Sequence, residues 1–510
     1  MNVWNLLEDA ASQFGDQTAL VADGHSVDYR DLRERALAMA GGLAARGVQP
    51  GDRVGCLMHN TPEHLLAYFG IAAAGAVLVS LNTRLVASEQ QHILQHAGAK
   101  LLLHDEAHAQ RSEELDIAGV AAHAAAAEGQ RAEDQRAEGQ RTPLRQPTLA
   151  AADDPAQLYY TSGTTGSPKG VVLTHANVCR HAHAAIAELQ LSQRDTWAHI
   201  APMFHLADAW ATFAITAVGG RHVFLPVFAP DTALDLLQQE RVTITNLVPT
   251  MLNLMVKQPD AADRDYALRV MLSGGAPIAP DVVRRIIATF ACEYVQTYGM
   301  TETSPYLTMS LLSDKLRQLP EPEQLRLRCK TGRAFQGVEL RVVGSDGRDV
   351  PADGQTVGEI RVRGATVTPG YWHNAAATRE AFDEQGFLHT GDLANIDHHG
   401  FVDIVDRLKD VIKTGAETVY SVEVENVLYE HPAVLECAVF GRPDETWGER
   451  VCAAVVLRPE AIDEAAVDTA ELTAFVRERL AGYKTPKQLE VRSSLPRTGS
   501  GKIQKRALRG

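Results

Sequence analysis

Over its first hundred residues the chain alternates helix-like and strand-like stretches, and this alternation restricts the fold more than any other feature. Tyr29-Arg30-Asp31-Leu32 opens a helix that runs to Gly47, with apolar residues at three- and four-residue spacing. Gln49-Pro50-Gly51-Asp52 forms a turn, and Arg53–Met58 then reads as a strand. Another helix and the small-residue strand Ala76–Ser80 follow. A chain that switches period in this way covers a sheet with helices, so the predicted class is layered α/β. At 510 residues the chain exceeds a single hydrophobic core, and two or more domains are expected. From Val338 the texture becomes strand-rich, with runs at Val338–Val343 and Gly358–Gly364 separated by the turns Asp346-Gly347 and Asp353-Gly354. After Arg407-Leu408-Lys409-Asp410 it changes to mixed α and β, and a domain boundary is placed there.

Apolar content of 45% and charged content of 22% are those of an ordinary soluble protein. The net charge of -15 argues against nucleic-acid binding, which favours a basic balance. Cys56, Cys179, Cys292, Cys329, Cys437 and Cys452 are scattered with no C-x-x-C pair, so neither a zinc site nor a disulfide framework is indicated. Free buried thiols in a reducing compartment fit better. Residues 1–9 lack a basic region and an apolar core, so no signal peptide is read. The longest apolar run, Ala67 to Leu81, is shorter than the ~18 residues of a membrane span. The expected location is cytoplasmic. Residues 127–141 repeat a five-residue Ala-Glu-(Gly/Asp)-Gln-Arg unit three times without an apolar face, and read as a low-complexity surface insertion.

The stretch Tyr159–Gly170 is rich in glycine and hydroxyls and carries one lysine, Lys169. Glycines let backbone N–H groups turn toward a ligand, and the hydroxyls and ammonium add donors, so the loop suits a polyanion such as the phosphates of ATP. It is not a P-loop, because Lys169 follows Pro168 and precedes Gly170. Five more motifs follow: Gly274-Gly275-Ala276-Pro277, Tyr298-Gly299-Met300-Thr301-Glu302, Thr390-Gly391-Asp392, Asp406–Asp410 and Gly499-Ser500-Gly501-Lys502-Ile503.

In this order and with these gaps, the six motifs resemble those of the adenylate-forming (AMP-binding) superfamily, in its acyl-CoA synthetase or fatty-acid–CoA ligase branch. The resemblance covers nearly the whole chain. It implies a large multi-subdomain N-terminal domain of layered α/β sheets plus a small β-barrel, and a small mobile α+β C-terminal domain. The implied limits are 1–406, a hinge at 407–409, and 410–510. The implied reaction has two halves. A carboxylate attacks the α-phosphate of ATP, giving acyl-adenylate and pyrophosphate; a thiol then displaces AMP. ATP, Mg²⁺ and CoA are the implied cofactor and co-substrates.

By the same resemblance Thr161, Ser162, Gly163, Thr164, Thr165, Gly166 and Lys169 hold the β- and γ-phosphates. Glu302 is the magnesium ligand, and Thr301 bonds the α-phosphate. Lys502 bridges the carboxylate and the α-phosphate. Gly274, Gly275, Ala276, Pro277 and Tyr298 wall the adenine, Asp392 takes the ribose hydroxyls, and Arg407 assists there. Lys409 stands at the hinge, and Lys413 at a position presented to the adenylate after domain rotation. The loop Gly415-Ala416-Glu417-Thr418-Val419-Tyr420-Ser421 departs from the family's Gly-Gly-Glu-Asn-Val-Tyr-Pro. Ala416 replaces a glycine where a pantetheine arm passes close to the backbone, and a Cβ narrows that passage. Ala416→Gly is therefore expected to raise thioester formation without changing pyrophosphate exchange; equal thioester rates for both chains would refute this.

An amino-acid substrate is disfavoured, because His205 stands where amino-acid-activating relatives carry an aspartate, and Asp208 lies further along. His205 is placed beside the acyl carboxylate. The implied acyl pocket is Leu206, Ala207, Ala211, Met271, Gly274, Thr297, Gly299, Pro305 and Tyr306, mainly apolar as a fatty or aryl acid requires. Thr297 narrows one wall. Two alternatives stay open. The acyl group could pass to a separate acyl carrier protein rather than CoA, or the chain could be a non-catalytic nucleotide- or acyl-binding protein of the same fold. A monomer or a homodimer is expected, with no nucleic-acid partner and no membrane span.

Overall fold

The computed structural model describes residues 1–127, 146–148, 150–161, 168–276, 278–415, 417–458, 468–497 and 503–509. The repeat thus lies almost wholly outside the described residues. The chain forms two compact units, a large one of Met1–Leu340 and Val362–Leu388 and a smaller one of Arg341–Arg361 and His389–Gly510.

The first unit holds two mixed sheets. One has six strands, in the spatial order Gly119–Ala121, Ala99–His104, Arg53–Leu57, Val77–Ser80, Pro155–Thr161 and Lys169–Thr174. Its pairs are parallel except the last, an antiparallel hairpin. The other has nine strands, with a parallel centre, two antiparallel pairings at one end and one at the other. Parallel strands are covered on both faces and need continuous apolar sequence. Val77, Leu78 and Val79 supply it and are all buried. The predicted helix over 29–47 is found at Tyr29–Ala45, with Asp28 accepting the Asp31 N–H at its N-cap. The apolar run at 67–81 is the end of the buried helix Pro62–Ala73 followed by the strand Val77–Ser80. No helix among the described residues is long and apolar enough to cross a membrane.

The segment expected as a small barrel is laid down as a four-stranded sheet in the order Val338–Val343, Gly358–Gly364, Leu388–Ile396, Val402–Arg407. Its two predicted turns hold Gly347 at φ 77° and Gly354 at φ 70°, values that a Cβ disfavours. In the second unit a five-stranded sheet carries the helices Ser421–Glu430 and Thr469–Arg479. Val424, Leu428, Val439, Val455, Leu472 and Val476 close its core. Each such side chain contributes about 1.5–3 kcal/mol on burial.

Candidate active site

The glycine- and hydroxyl-rich loop closes a hairpin. Thr161 pairs with Lys169 and Tyr160 with Gly170, so Lys169 emerges at the first position of the returning strand. Ser162 to Ser167 lie outside the described residues. Gly170 is closely packed: a Cβ there would lie 3.0 Å from the Tyr160 ring and 3.3 Å from Trp372 Cβ. The segment 368–372 is fastened along this strand. Trp372 N donates to Gly170 O at 2.7 Å, Val172 N donates to Gly370 O at 3.1 Å, and Thr368 Oγ1 donates to Val172 O at 2.6 Å.

That fastening aims Tyr371 at two predicted residues. The Lys169 ammonium lies 5.1 Å from the centre of the Tyr371 ring, a cation–π distance. The Tyr371 hydroxyl donates to Glu302 Oε1 at 3.0 Å, and Thr368 N donates to Glu302 O at 2.7 Å. Burial and the Glu302 charge hold the Tyr371 hydroxyl well above the usual tyrosine range, so it remains a donor. The structure thus joins Lys169 and Glu302 through Tyr371, which no sequence motif singled out. A cleft of about 610 Å³ opens beside it, lined by Tyr371, His373, Asn374 and Thr378 among others. Glu302 is buried in the turn Thr301–Thr303. It offers the hard oxygen donor that Mg²⁺ takes, next to a cation suited to phosphates.

The expected adenine and acyl residues converge on neighbouring strands. Gly274 pairs with Thr297, and a Cβ on Gly274 would sit 2.5 Å from Thr297 Oγ1. Thr297 Oγ1 donates to Ser273 O at 3.0 Å, and Gln296 Nε2 to Ala276 O at 3.1 Å. Pro277 lies outside the described residues. A Cβ on Gly299 would fall 1.9 Å from Pro305 O, so only glycine lets the 298–302 turn fold back on Pro305-Tyr306. Tyr298 is half-buried in that same turn.

Tyr306 is buried among the rings of Trp210, His181 and Phe335, at 5.2, 5.4 and 5.9 Å. Its N–H donates to His181 Nε2 at 3.3 Å, and burial pushes His181 down to about 3, which keeps that nitrogen an acceptor. Leu206 and Ala211 are buried on the helix Leu206–Ala217, whereas Ala207 is exposed. His205 heads this helix with its ring against Phe204. Met271 lies in the core cluster with Ile286, Phe290 and Tyr294.

Asp208 is fully buried and committed elsewhere. Trp197 Nε1 donates to its Oδ1 at 3.2 Å, and His199 Nδ1 lies 2.5 Å from its Oδ2. The chain of contacts continues from His199 Nε2 to His222 Nδ1 at 3.0 Å and from His222 Nε2 to Thr216 Oγ1 at 3.1 Å. Burial pushes the Asp208 carboxyl up and His222 well below the usual histidine range. These partners engage both carboxylate oxygens of Asp208 within the core. Sequence reasoning did not find this array, whose members come from the adjacent strands Thr196–His199 and Arg221–Phe224 and the helix Leu206–Ala217.

In the second unit Asp392 and Arg407 are register partners, and Arg407 Nε lies 3.1 Å from Asp392 Oδ1. Asp392 is buried and Arg407 exposed. Thr390-Gly391-Asp392 lies within the strand Leu388–Ile396, with Gly391 at φ 70° and Asp392 N donating to Thr390 Oγ1 at 3.2 Å. Lys409 is exposed, and its carbonyl accepts from Arg509 at 3.2 Å. Lys413 pairs with Thr418 across a hairpin, and its ammonium donates to the Thr418 hydroxyl at 2.8 Å. Gly415 turns that hairpin at φ 64°, with its N–H on Trp447 O at 2.6 Å. Ala416 and Lys502 lie outside the described residues. A bridge between Arg497 and Ile503 joins the chain on either side of 498–502.

Residues 7–372 match the model of the AMP-binding enzyme family, and residues 423–502 that of the AMP-binding enzyme C-terminal domain. A long-chain-fatty-acid–CoA ligase of Thermus thermophilus is 38% identical, the match covering 100% of this chain and 95% of the relative. A feruloyl-CoA synthase of an Amycolatopsis species is also 38% identical, over 96% of this chain and 95% of the relative. Among solved structures, the O-succinylbenzoate coenzyme A synthetase of Bacillus subtilis, in complex with ATP and magnesium ion, superposes with a TM-score of 0.85 at 28% identity over the full length of both chains. With its large unit, its smaller unit and both sequence models in place, the chain belongs to the AMP-binding enzyme family.

Proposed function

We propose that the chain is an AMP-forming acyl-CoA ligase that activates a fatty or aryl carboxylic acid through an acyl-adenylate and passes it to CoA. The reading is carried by the grouping of Lys169, Tyr371 and Glu302, which sets an ammonium and a buried carboxylate beside one hairpin loop. In this reading Lys169 and the 161–166 loop hold the departing pyrophosphate, and Thr301 bonds the α-phosphate. Glu302 holds Mg²⁺, which supplies charge neutralisation on the phosphates. Tyr298 and the 274–277 turn wall the adenine, and the Asp392–Arg407 pair holds the ribose. Lys502 orients the carboxylate for attack and offsets charge at phosphorus. His205 stands beside the acyl carboxylate. The acyl chain lies against Leu206, Ala211, Thr297, Pro305 and Tyr306, and the relatives named for long-chain fatty acids and ferulate support an apolar acid. The proposed limits are 1–406 for the adenylation domain, 407–409 for the hinge and 410–510 for the lid, with Lys413 and Gly415–Ala416 serving thiolation.

The test is pyrophosphate release from a panel of carboxylic acids, with and without CoA. Release that depends on the acid, with thioester formed when CoA is present, supports the ligase. Release without thioester points to a carrier-protein acceptor. Lys502→Ala is expected to lower acid-dependent pyrophosphate release by about 10²–10³. Equal background in both proteins would make the chain a binding protein.

A further inference from the structure

We propose that the first unit carries a binding site for one divalent transition-metal ion of the zinc type, formed by His59, Asp105 and His108 and lying outside the residues assigned to ATP and acid. Among the described residues this is the one group of three or more His, Cys, Asp or Glu side chains whose ligand atoms all lie within 4.8 Å of one another. His108 Nδ1 lies 2.5 Å from Asp105 Oδ1, and His59 Nδ1 lies 3.7 Å from Asp105 Oδ2. The two imidazole rings are 4.5 Å apart, centre to centre.

The fold places them there. The strands Arg53–Leu57 and Ala99–His104 are parallel neighbours, with Leu57 opposite His104. His59 and Asp105 therefore leave the same end of the sheet side by side, and His108 returns one turn later. Asp105 is held in position: its Oδ2 accepts the His59 N–H at 2.7 Å and its Oδ1 the His108 N–H at 3.1 Å. Its side chain and that of His108 are each 11% exposed, while His59 is 31% exposed and leaves a path for an ion.

Two imidazoles and one carboxylate are a zinc-type donor set with a fourth position open; magnesium and calcium would call for oxygen donors throughout. Zinc bonds of about 2.0–2.2 Å set neighbouring ligand atoms roughly 3.3 Å apart. His59 faces Oδ2 and His108 faces Oδ1, so the carboxylate would meet the ion through either oxygen, with His108 and Oδ1 separating by less than about 1 Å. On binding, His108 takes the tautomer with its proton on Nε2, exchanged through solvent, and the metal replaces the Nδ1 proton that faced Asp105. The ion would clip two strand ends together. Asn60, next to His59, donates to the carbonyls of His199 and Ala201 at 3.0 and 2.9 Å and accepts from Met203 N at 2.8 Å, so the clip would stiffen the loop that leads to His205.

The test is titration of the chelator-treated full-length protein with Co²⁺ alone and with Zn²⁺ alone. The expected result is one equivalent of Co²⁺ with the intense visible bands of a low-coordinate site, displaced by Zn²⁺, and a raised melting temperature with Zn²⁺. His59→Ala and His108→Ala should each weaken binding by at least about tenfold. His92→Ala, which removes one ring of the His92–His96 pair on the helix Ala87–Ala97, should leave it unchanged. If His108→Ala fails to fold, the more exposed His59 decides the matter, because its backbone N–H still holds Asp105. Absence of stoichiometric binding, or equal binding by the wild type and His59→Ala, would overturn the site and leave Asp105 and His108 a hydrogen-bonded pair only.

Discussion

One side chain, Tyr371, connects a lysine and a carboxylate that belong to different motifs: its ring faces Lys169 and its hydroxyl donates to Glu302. Tyr371→Phe keeps the ring beneath Lys169 and removes only the donor to Glu302. A hydrogen bond to a charged group is worth about 1.5–3 kcal/mol, so pyrophosphate release should fall by about tenfold or more, together with a lower melting temperature. Initial rates across a magnesium series read this directly; unchanged rates would reduce Tyr371 to packing. Lys169 and Glu302 were legible in sequence because each sits in a motif of unusual composition. Tyr371 was not, because its role arises when 368–372 bonds along a strand 196 residues earlier in the chain. A lone tyrosine after a glycine carries no such information.

The helix Ser421–Glu430 shows what a departure in a loop motif does once folded. Ser421 is its first residue and is fully buried. Its N–H donates to Asp406 Oδ2, and its hydroxyl donates to Asp406 Oδ1 at 3.0 Å while accepting from Lys505 at 2.6 Å. Lys505 also pairs with Glu425 at 2.7 Å. Proline suits the first helical position, so Ser421→Pro should preserve the helix. It removes both donors to a carboxyl that burial already pushes up. The expected cost is about 1–3 kcal/mol, seen in calorimetry as a lower transition for the second unit; an unchanged transition would show that the Arg407 N–H and the Lys505 charge suffice for Asp406. In sequence Ser421 stood out only as a change in the thiolation loop. That it fastens Asp406, directly before the proposed hinge, needed the fold of the second unit. In the same loop Thr418 holds the Lys413 ammonium at 2.8 Å, a contact the hairpin register creates.

At the scale of the whole molecule, three buried histidines link the first unit to pH. Burial pushes His64 and His175 down to about 4 and His181 to about 3, from an ordinary value of 6.5. His175 Nδ1 accepts the Val3 N–H and His181 Nε2 the Tyr306 N–H, so protonation would replace an acceptor with a donor. The unfolded chain takes up these protons first. Stability is therefore full above about 6.5 and is lost as pH falls from there toward 4, by up to about 1.4 kcal/mol per pH unit for each histidine. Denaturant unfolding at about pH 7 and about pH 5 measures the slope; a flat profile would show that these histidines titrate normally. The sequence alone determined the layered α/β class, the large and small parts, and the family, because periodicity, turn residues and ordered motifs are local properties of a chain. Tertiary structure alone decided which residues meet. It joined Lys169 to Glu302 through Tyr371, committed Asp208 to His199 and Trp197, and brought His59 beside Asp105 and His108. The strand ends that carry His59 and Asp105 meet through sheet pairing, and Asp208 meets Trp197 and His199 through the packing of its helix on their strand; both are set by burial across the whole sheet rather than by the residues brought together.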